Sequence, residues 1–401
     1  MNPDLQRLHP YPFEKLNALK ADVTPPAELK HIPLSIGEPK HAAPQFVVDA
    51  LTGAMDKLNT YPLTKGMPEL RQSIADWLGR RFKLAENSVD SETNVLPVAG
   101  TREALFAFAQ AVVDRTAKQP LVLMPNPFYQ IYEGAAFLAG AEPYYYDTAG
   151  ENNYLPDFES IPNDIWQRCQ LIYVCSPGNP TGAVLDTKAL QYLIKKAEIH
   201  DFIIASDECY SELYFDENNP PPGLLQAASE MKHNSFKHCV VFHSLSKRSN
   251  LPGLRSGFVA GDAEVLASFL KYRTYHGCAL PPTHQIASIA AWNDEEHVKQ
   301  NRQFYTEKFK AVLDILQPAI DVQMPEASFY IWLKTPICEQ EFAKQLFATQ
   351  HITVLPGSYL SRDNNGTNPG SGHVRMALVA PLDDCIEAAN RIKQFLQTLN
   401  S

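Results

Sequence analysis

The sequence lacks the features of an exported, membrane-bound or nucleic-acid-binding protein. No apolar run approaches the roughly 18 to 20 residues that a bilayer span needs, and the N-terminus has no basic and apolar signal regions. The formal net charge of −10 argues against a nucleic-acid or anionic-membrane partner.

The cysteines and histidines show no disulfide or metal pattern. Seven cysteines form no CxxC pair, and an odd number fits poorly with a disulfide framework. We therefore expect a cytoplasmic protein with free thiols. The 12 histidines show no HxH or HExxH spacing, so we predict no metal site.

What is present is an ordinary globular composition. The 401 residues are 45% hydrophobic and 20% charged, which is enough chain for two domains. From about residue 93, short apolar segments alternate with helical stretches, a pattern typical of a mainly parallel sheet covered on both faces. Strands are predicted at 94–98, 120–124, 142–146, 171–175, 202–207 and 239–244, and helices at 45–58, 129–140 and 187–200.

After about residue 280 the pattern changes. It predicts a long helix over 283–315, strands at 327–333, 352–355 and 373–378, and a closing helix at 382–399. We expect three parts: a proline-rich arm with part of the small domain (1–45), a large α/β domain (46–282) and a small α+β domain (283–401). Ligands of a parallel sheet bind beyond the carboxyl ends of its strands, where the informative residues fall.

We expect the chain to be organised around one lysine, Lys247. It follows Ser244 and Ser246 and precedes Arg255 by eight positions. A lysine that forms a Schiff base with an aldehyde cofactor needs a short, crowded loop, and hydroxyl and guanidinium groups nearby can hold a phosphate. The competing interpretation is a surface loop with a solvated lysine.

Two further strand ends carry candidate cofactor contacts. Gly100-Thr101-Arg102 precedes a predicted helix, whose free N–H groups and dipole favour a phosphate, although such a turn can be only a helix cap. In the next segment, Tyr129 could stack on a cofactor ring, although Phe128 or Tyr129 could equally pack in the core.

Polar groups end two later strands. Asn179 can donate its amide to a phenolate oxygen, or it can belong to a plain tight loop. A carboxylate at Asp207 among apolar residues needs a cation, such as a protonated pyridine nitrogen; alternatively, it caps a helix. Tyr210 could also reach the ring oxygen.

Arg375 lies inside an apolar strand of the second predicted domain. An arginine there needs an anion, and a substrate α-carboxylate is a suitable bidentate partner. A buried structural ion pair is the alternative. Near the N-terminus, Gly37 could make a turn or allow the backbone to approach a ligand.

The order of these motifs resembles the fold-type I pyridoxal-phosphate aminotransferases. The resemblance is carried by Asn179-Pro-Thr-Gly182, Asp207-x-x-Tyr210, Ser244-x-Ser-Lys247, Arg255 and Arg375. Within that superfamily, longer strings resemble the bacterial N-succinyl-diaminopimelate aminotransferases: PYPFEKL at 10–16, SDECYSELY at 206–214, SLSKRSNLPGLR at 244–255 and YRTYHGC at 272–278. One departure is Ser328, where many relatives carry glycine.

The resemblance implies a seven-stranded type of sheet, pyridoxal 5′-phosphate as cofactor, and Lys247 as the Schiff-base lysine. The phosphate would be bound by Ser244, Ser246, Arg255, the backbone of Thr101 and Arg102, and Tyr61 from a partner subunit. The ring would be contacted by Tyr129, Asn179, Tyr210 and Asp207. Arg375 and the Gly37 backbone would hold the substrate α-carboxylate, with Asn179 beside them. The resemblance also implies a homodimer with shared active sites.

The implied reaction moves an amino group between N-succinyl-LL-2,6-diaminopimelate and 2-oxoglutarate, in lysine biosynthesis. The alternatives are a broader aspartate, alanine or aromatic aminotransferase, or a cysteine-S-conjugate β-lyase. A ligand-sensing regulator is disfavoured because the chain has no basic DNA-binding module. The succinyl carboxylate needs a second cation, for which Arg248, Arg273 and Lys65 are candidates.

Overall fold

The computed structural model describes residues 1–399 of the chain. The strands are β1 (Ile32–Pro33), β2 (Val95–Val98), β3 (Leu121–Asn126), β4 (Glu142–Asp147), β5 (Cys169–Cys175), β6 (Ile203–Asp207), β7 (Cys239–Ser244), β8 (Gly257–Gly261), β9 (Tyr330–Lys334), β10 (Ile352–Thr353), β11 (Leu355–Pro356) and β12 (His373–Ala377). The helices are α1 (Pro12–Lys20), α2 (Gln45–Gly53), α3 (Pro68–Phe82), α4 (Thr101–Val112), α5 (Ile131–Ala139), α6 (Asn163–Arg168), α7 (Thr187–His200), α8 (Leu224–Glu230), α9 (Leu245–Arg248), α10 (Ala263–His276), α11 (Pro282–Trp292), α12 (Glu296–Leu316), α13 (Glu339–Gln350) and α14 (Leu382–Leu399).

The large sheet has seven strands in the order β2-β8-β7-β6-β5-β3-β4. Its neighbours pair in parallel except around β8, which runs antiparallel to both β2 and β7. The predicted α/β fold with a mainly parallel sheet is therefore confirmed. The carboxyl ends of β2, β3, β5, β6 and β7 share one edge, where connecting loops can build a site.

Side chains of the large sheet alternate between two cores. Along β7, Val241 belongs to one cluster with Trp77 and Trp292, whereas Val240 and Phe242 belong to the opposite cluster. Alternation places successive side chains on opposite faces of a strand. Both faces of the sheet are therefore covered by apolar side chains, as continuous apolar strands require.

A second core forms around two small sheets. One sheet is antiparallel with the order β11-β12-β9, and the other pairs β1 in parallel with β10. Helices α12, α13 and α14 supply Phe309, Phe342 and Phe395 to this core, together with Ile32 of β1. The core thus takes residues from both ends of the chain. The domain boundaries at 45 and 282 stay a prediction.

Several predicted element bounds are wrong for identifiable reasons. Helix α2 ends at Gly53 rather than 58, because glycine is a poor helix former. The predicted helix over 283–315 is two helices, since the Asp294 carboxylate accepts a hydrogen bond from the His297 N–H (3.1 Å) and starts α12. Strand β9 begins at Tyr330 because Ser328 has a φ of +82°, which no extended strand allows. Strand β8 is absent from the prediction.

Among residues 1–399, no helix has the length and apolarity needed to cross a bilayer.

Candidate active site

The loops at the carboxyl edge of the large sheet enclose a cavity of about 650 Å³. Every residue predicted for the site lines it except Tyr61: Gly37, Thr101, Arg102, Tyr129, Asn179, Asp207, Tyr210, Ser244, Ser246, Lys247, Arg255 and Arg375. Residues separated by more than 300 positions therefore meet in one place. Their roles in binding and catalysis stay predictions; their placement together is what the structure shows.

Lys247 lies in the cavity wall, half-buried. Its Nζ donates to the carbonyl of Gly37 (2.6 Å) and lies 5.2 Å from the centre of the Phe329 ring. Burial lowers the pKa of the Lys247 amine from its ordinary 10.5 to about 8. A larger fraction of the amine is therefore neutral near physiological pH than for a solvated lysine, so the surface-loop interpretation is wrong.

The backbone of Lys247 is fixed by a side chain from α12. The buried Asn301 donates through Nδ2 to the carbonyls of Lys247 (3.1 Å) and Arg248 (3.3 Å). Its Oδ1 lies 2.8 Å from Nδ2 of Asn250 and 3.0 Å from Nδ1 of His41. The carbonyls at the end of the one-turn helix α9 thereby gain partners. Sequence reasoning missed Asn301, which no local motif marks.

Asp207 ends β6 as a buried carboxylate. Its Oδ2 accepts a hydrogen bond from the Tyr132 hydroxyl (2.6 Å), and no lysine or arginine pairs with it among residues 1–399. Burial raises the pKa of the Asp207 carboxyl. No helix follows Asp207, since α8 begins only at Leu224, so the helix-cap interpretation is wrong. The site offers a place for a cation beside this carboxylate.

Tyr132 was missed by sequence reasoning, although it follows Tyr129 at a helical spacing. Its ring is fully buried and stacks on Tyr173, with 4.5 Å between centroids. This packing aims the hydroxyl at Asp207. Phe128 and Tyr129 both line the cavity. Phe128 is buried and its ring stacks on Tyr145, whereas the Tyr129 hydroxyl accepts a hydrogen bond from Nε of Arg102. Stacking of Tyr129 on a cofactor ring stays a prediction.

The N-terminus of α4 and the Arg255 side chain meet at one end of the cavity. Gly100 has a φ of +93°, and a Cβ at this position would collide with Nη2 of Arg255. Only glycine permits this close approach. Thr101, Ser244 and Ser246 line the same cavity. The Ser244 hydroxyl accepts a hydrogen bond from the Ser246 N–H (3.1 Å) and donates to the Ser256 carbonyl (3.4 Å). Free N–H groups, hydroxyls and a guanidinium together suit a phosphate.

Arg375 projects from β12 and is buried. Its Nη1 donates to Oδ1 of Asn179 and its Nη2 to the Ser35 carbonyl, both at 2.8 Å, while Nε has no partner in the described chain. The guanidinium lies 4.3 Å from the centre of the Tyr330 ring. Among residues 1–399 no carboxylate forms an ion pair with it, so the interpretation as a structural ion pair is wrong.

The tyrosine hydroxyls of Tyr210 and Tyr330 lie 3.1 Å apart in the cavity wall. Tyr330 belongs to β9, so this contact joins the large sheet to the small one. The Tyr330 hydroxyl is also so close to Gly37 that a Cβ there would collide with it. A side chain at position 37 would therefore displace the segment that accepts the Lys247 hydrogen bond.

The structure corrects the prediction of which cation could bind the succinyl carboxylate of the substrate. Arg248 is buried and donates to the Ala291 carbonyl (2.8 Å) and to Glu295 (2.6 Å). Arg273 is fully buried and pairs with Glu103. Both cations are used to satisfy other groups, and neither lines the cavity. Lys65 pairs with Glu92 at the surface (2.8 Å) and does not line it either.

Tyr61 is 97% exposed and lies outside the cavity of its own chain. The apolar side chains of Met55, Leu58 and Leu63 nearby are exposed as well. Its contact with a phosphate in a partner subunit stays a prediction.

One group of metal-ligand side chains lies outside the cavity. Ligand atoms of Glu103, His276 and Cys278 are within 4.8 Å of one another. The Glu103 carboxylate already accepts two hydrogen bonds from Nη1 of Arg273 (2.7 and 2.9 Å), so its charge is compensated without an ion.

Replacing Ser328 with glycine should stabilise the fold. Ser328 is fully buried, holds a left-handed φ of +82°, and its Oγ has no hydrogen-bond partner in the described chain. Glycine adopts this conformation freely and removes the unpaired hydroxyl, so Ser328→Gly should raise the free energy of unfolding by about 1 kcal/mol. Thermal unfolding of Ser328→Gly, with Ser328→Ala to separate the hydroxyl from the backbone, measures this. A lower melting temperature for the glycine variant would contradict the backbone argument.

Comparison with known proteins agrees with this geometry. A family model described as aminotransferase class I and II matches residues 30–392. The LL-diaminopimelate aminotransferase of Nitratidesulfovibrio vulgaris (strain Miyazaki F) is 32% identical over 395 residues, 97% of either chain. An aminotransferase from Neisseria meningitidis Z2491 superposes with a TM-score of 0.94 at 49% identity, covering 98% of this chain and 100% of that one. The aminotransferase AspB of Helicobacter pylori 26695 gives 0.89 at 37% identity, covering 97% and 99%. The chain belongs to the class I and II aminotransferases, which depend on pyridoxal phosphate.

Proposed function

We propose that this aminotransferase moves the amino group of N-succinyl-LL-2,6-diaminopimelate to 2-oxoglutarate, a step of lysine biosynthesis. The observation that carries the proposal is the buried Arg375, whose Nε faces no carboxylate in the described chain. Such an arginine suits the α-carboxylate of an amino acid. The diaminopimelate assignment is supported by the relative named LL-diaminopimelate aminotransferase and by the four longer strings noted above.

The cavity fits pyridoxal phosphate on three independent grounds. The buried Asp207 has no cation beside it, which a protonated ring nitrogen would supply. The N-terminus of α4, with Arg255 and Ser246, offers donors to a phosphate. Lys247 faces the same cavity with a lowered pKa. Ser244 and Thr101 would add phosphate donors, and Asn179 and Tyr210 would face the phenolic oxygen.

When bound, pyridoxal phosphate supplies an aldehyde that takes up the amino group and a ring that withdraws electrons from the substrate Cα. Arg375 orients the substrate by its α-carboxylate, with the Gly37 backbone beside it. Lys247, once neutral, would accept the proton from the substrate Cα and hold it for return. Asp207 would face the ring nitrogen and favour its protonated form through its charge, and Tyr132 holds that carboxylate in place.

The proposal includes a two-fold homodimer in which Tyr61 reaches the partner's cavity. The support is its exposure beside Met55, Leu58 and Leu63, an apolar surface of the kind that subunit contacts cover. The substrates are small molecules, an amino acid and a 2-oxo acid.

A spectral titration of the cofactor-loaded protein tests the substrate. Single-turnover absorbance changes are followed with N-succinyl-LL-diaminopimelate, LL-diaminopimelate, aspartate, phenylalanine and glutamate. We expect the succinylated compound to half-saturate at a concentration about tenfold or more below that of aspartate, because its longer chain makes a charged contact that the short aspartate side chain does not reach, and one such contact contributes roughly this factor.

Each other outcome has a definite meaning. If LL-diaminopimelate reacts at lower concentration than its succinyl derivative, the substrate is the free diamine. If aspartate or phenylalanine reacts best, the protein is a broader aminotransferase. Release of pyruvate from a cysteine S-conjugate would indicate the β-lyase alternative.

A further inference from the structure

The cavity lining contains four cations among the described residues: Arg102, Lys247, Arg255 and Arg375. Three of them have positions that suit the chemistry above. Lys247 contacts Gly37, Arg255 lies against Gly100, and Arg375 joins Asn179 to Ser35. The side chain of Arg102 has no assigned role in binding or catalysis, since only its backbone is expected to contact the phosphate.

Arg102 is held in place by phenols rather than by a carboxylate. Its Nε donates to the Tyr129 hydroxyl (2.5 Å) and its Nη2 to the Tyr11 hydroxyl (3.0 Å). Its guanidinium carbon lies 5.9 and 5.7 Å from the ring centres of Tyr11 and Tyr129. Within residues 1–399, no acidic side chain pairs with it and no hydrogen bond uses its Nη1.

This arrangement fixes the direction of the guanidinium while leaving its charge uncompensated. Phenol contacts restrict the rotamers of a long side chain, so less conformational entropy is lost when a ligand binds. The N–H groups that the two phenols leave unused suit a planar anion, for which arginine is the best-matched side chain. Tyr11 comes from the N-terminal arm, whose Tyr11, Pro12 and Phe13 line one wall of the cavity.

We propose that Arg102, positioned by Tyr11 and Tyr129, binds the distal carboxylate of the substrate and thereby selects dicarboxylic over monocarboxylic amino acids. The proposal rests on the aminotransferase function above and replaces the incorrect candidates Arg248 and Arg273. It assigns the N-terminal arm a part in substrate selection. Both halves of the reaction need such a contact, because glutamate and the succinylated substrate each carry a second carboxylate.

The test compares two unreactive ligands of equal chain length, glutarate and pentanoate, by calorimetric binding to the cofactor-loaded protein. Arg102→Gln should weaken glutarate binding about 10- to 100-fold, the range for a lost charge-assisted contact, and change pentanoate binding less than about threefold. Arg102→Lys should recover part of the glutarate affinity. Tyr11→Phe should weaken glutarate binding by only a few-fold, because it removes one hydrogen bond to the guanidinium without removing its charge.

Two controls keep the result interpretable. Arg80→Gln makes the same substitution at an exposed position of α3 outside the cavity and should leave both affinities unchanged. The absorbance of the bound cofactor should be the same in Arg102→Gln as in the native protein, because the backbone contact to the phosphate is retained.

The outcomes separate this inference from the proposed function. If Arg102→Gln leaves glutarate binding unchanged, or weakens both ligands equally, Arg102 does not select the second carboxylate and the inference is overturned. That result would leave the succinyl-diaminopimelate titration unaffected. If the native protein fails to react with the succinylated compound but still prefers glutarate through Arg102, the substrate assignment fails while this inference stands.

Discussion

Replacing Lys247 with alanine is expected to lower the rate of the first half reaction by roughly 10⁴-fold, the upper range for a lost general acid–base group. Lys247 is the cavity residue whose amine is expected to become neutral near pH 8, because burial lowers its pKa to about that value. Its removal leaves no other amine in the cavity wall among the described residues. Single-turnover absorbance with glutamate measures the loss.

Rescue by a small amine separates a chemical from a structural role. Methylamine should restore part of the rate in Lys247→Ala, since it can supply a base in the space that the side chain leaves. The control is Lys188→Ala, an exposed lysine of α7, which should react like the native protein. A Lys247→Ala variant that reacts within tenfold of the native rate would exclude this lysine as the proton carrier.

Replacing Asp207 with asparagine is expected to slow the same half reaction roughly 10²- to 5 × 10³-fold, because losing one member of a buried ion pair costs roughly 3 to 5 kcal/mol. Asp207 is 4% exposed, and among residues 1–399 Tyr132 is the one side-chain hydroxyl that donates a hydrogen bond to its carboxylate. Asparagine keeps the shape of the side chain but supplies no charge to hold a proton on the ring nitrogen. The rate is again read from single-turnover absorbance.

Two variants define how this result is interpreted. Tyr132→Phe keeps the charge and removes one hydrogen bond, so its effect should be smaller, about tenfold. Asp314→Asn, on an exposed position of α12, should have no effect. If Asp207→Asn reacts at the native rate, the carboxylate does not face the ring nitrogen, and the orientation of the cofactor in the cavity must be revised.

The part of the site that sequence could predict consists of short motifs at strand ends. Asp207 ends a β-strand, and Asn179 and Lys247 lie four and three residues beyond the ends of two others, so the alternation of strands and helices places them at one edge without knowledge of packing. Arg375 was predictable for a different reason: a charged side chain within an apolar strand requires a partner. The resemblance to a known family supplied the roles.

The rest depends on contacts between distant segments. Asn301 binds the Lys247 carbonyl from 54 positions away, and Tyr11 meets Arg102 across 91 positions. The partners of Arg248, the Ala291 carbonyl and Glu295, lie more than 40 positions further along the chain, so the sequence around Arg248 does not show that its charge is used. Whether an arginine is free or paired is a property of the packed chain, and no local pattern in the sequence records it.

The pairing of β1 with β10 affects how the chain is made. Ile32 and Leu34 are buried in the second core, yet the strand that β1 pairs with begins at Ile352. During synthesis at 5 to 20 residues per second, about 320 residues must follow Ile32, so this apolar segment waits roughly 15 to 65 s for its partner. The seven-stranded sheet is complete at Gly261 and can form on the ribosome in that interval. The cavity, which needs Arg375, closes only after residue 375 has been made, more than 100 residues after the sheet is complete.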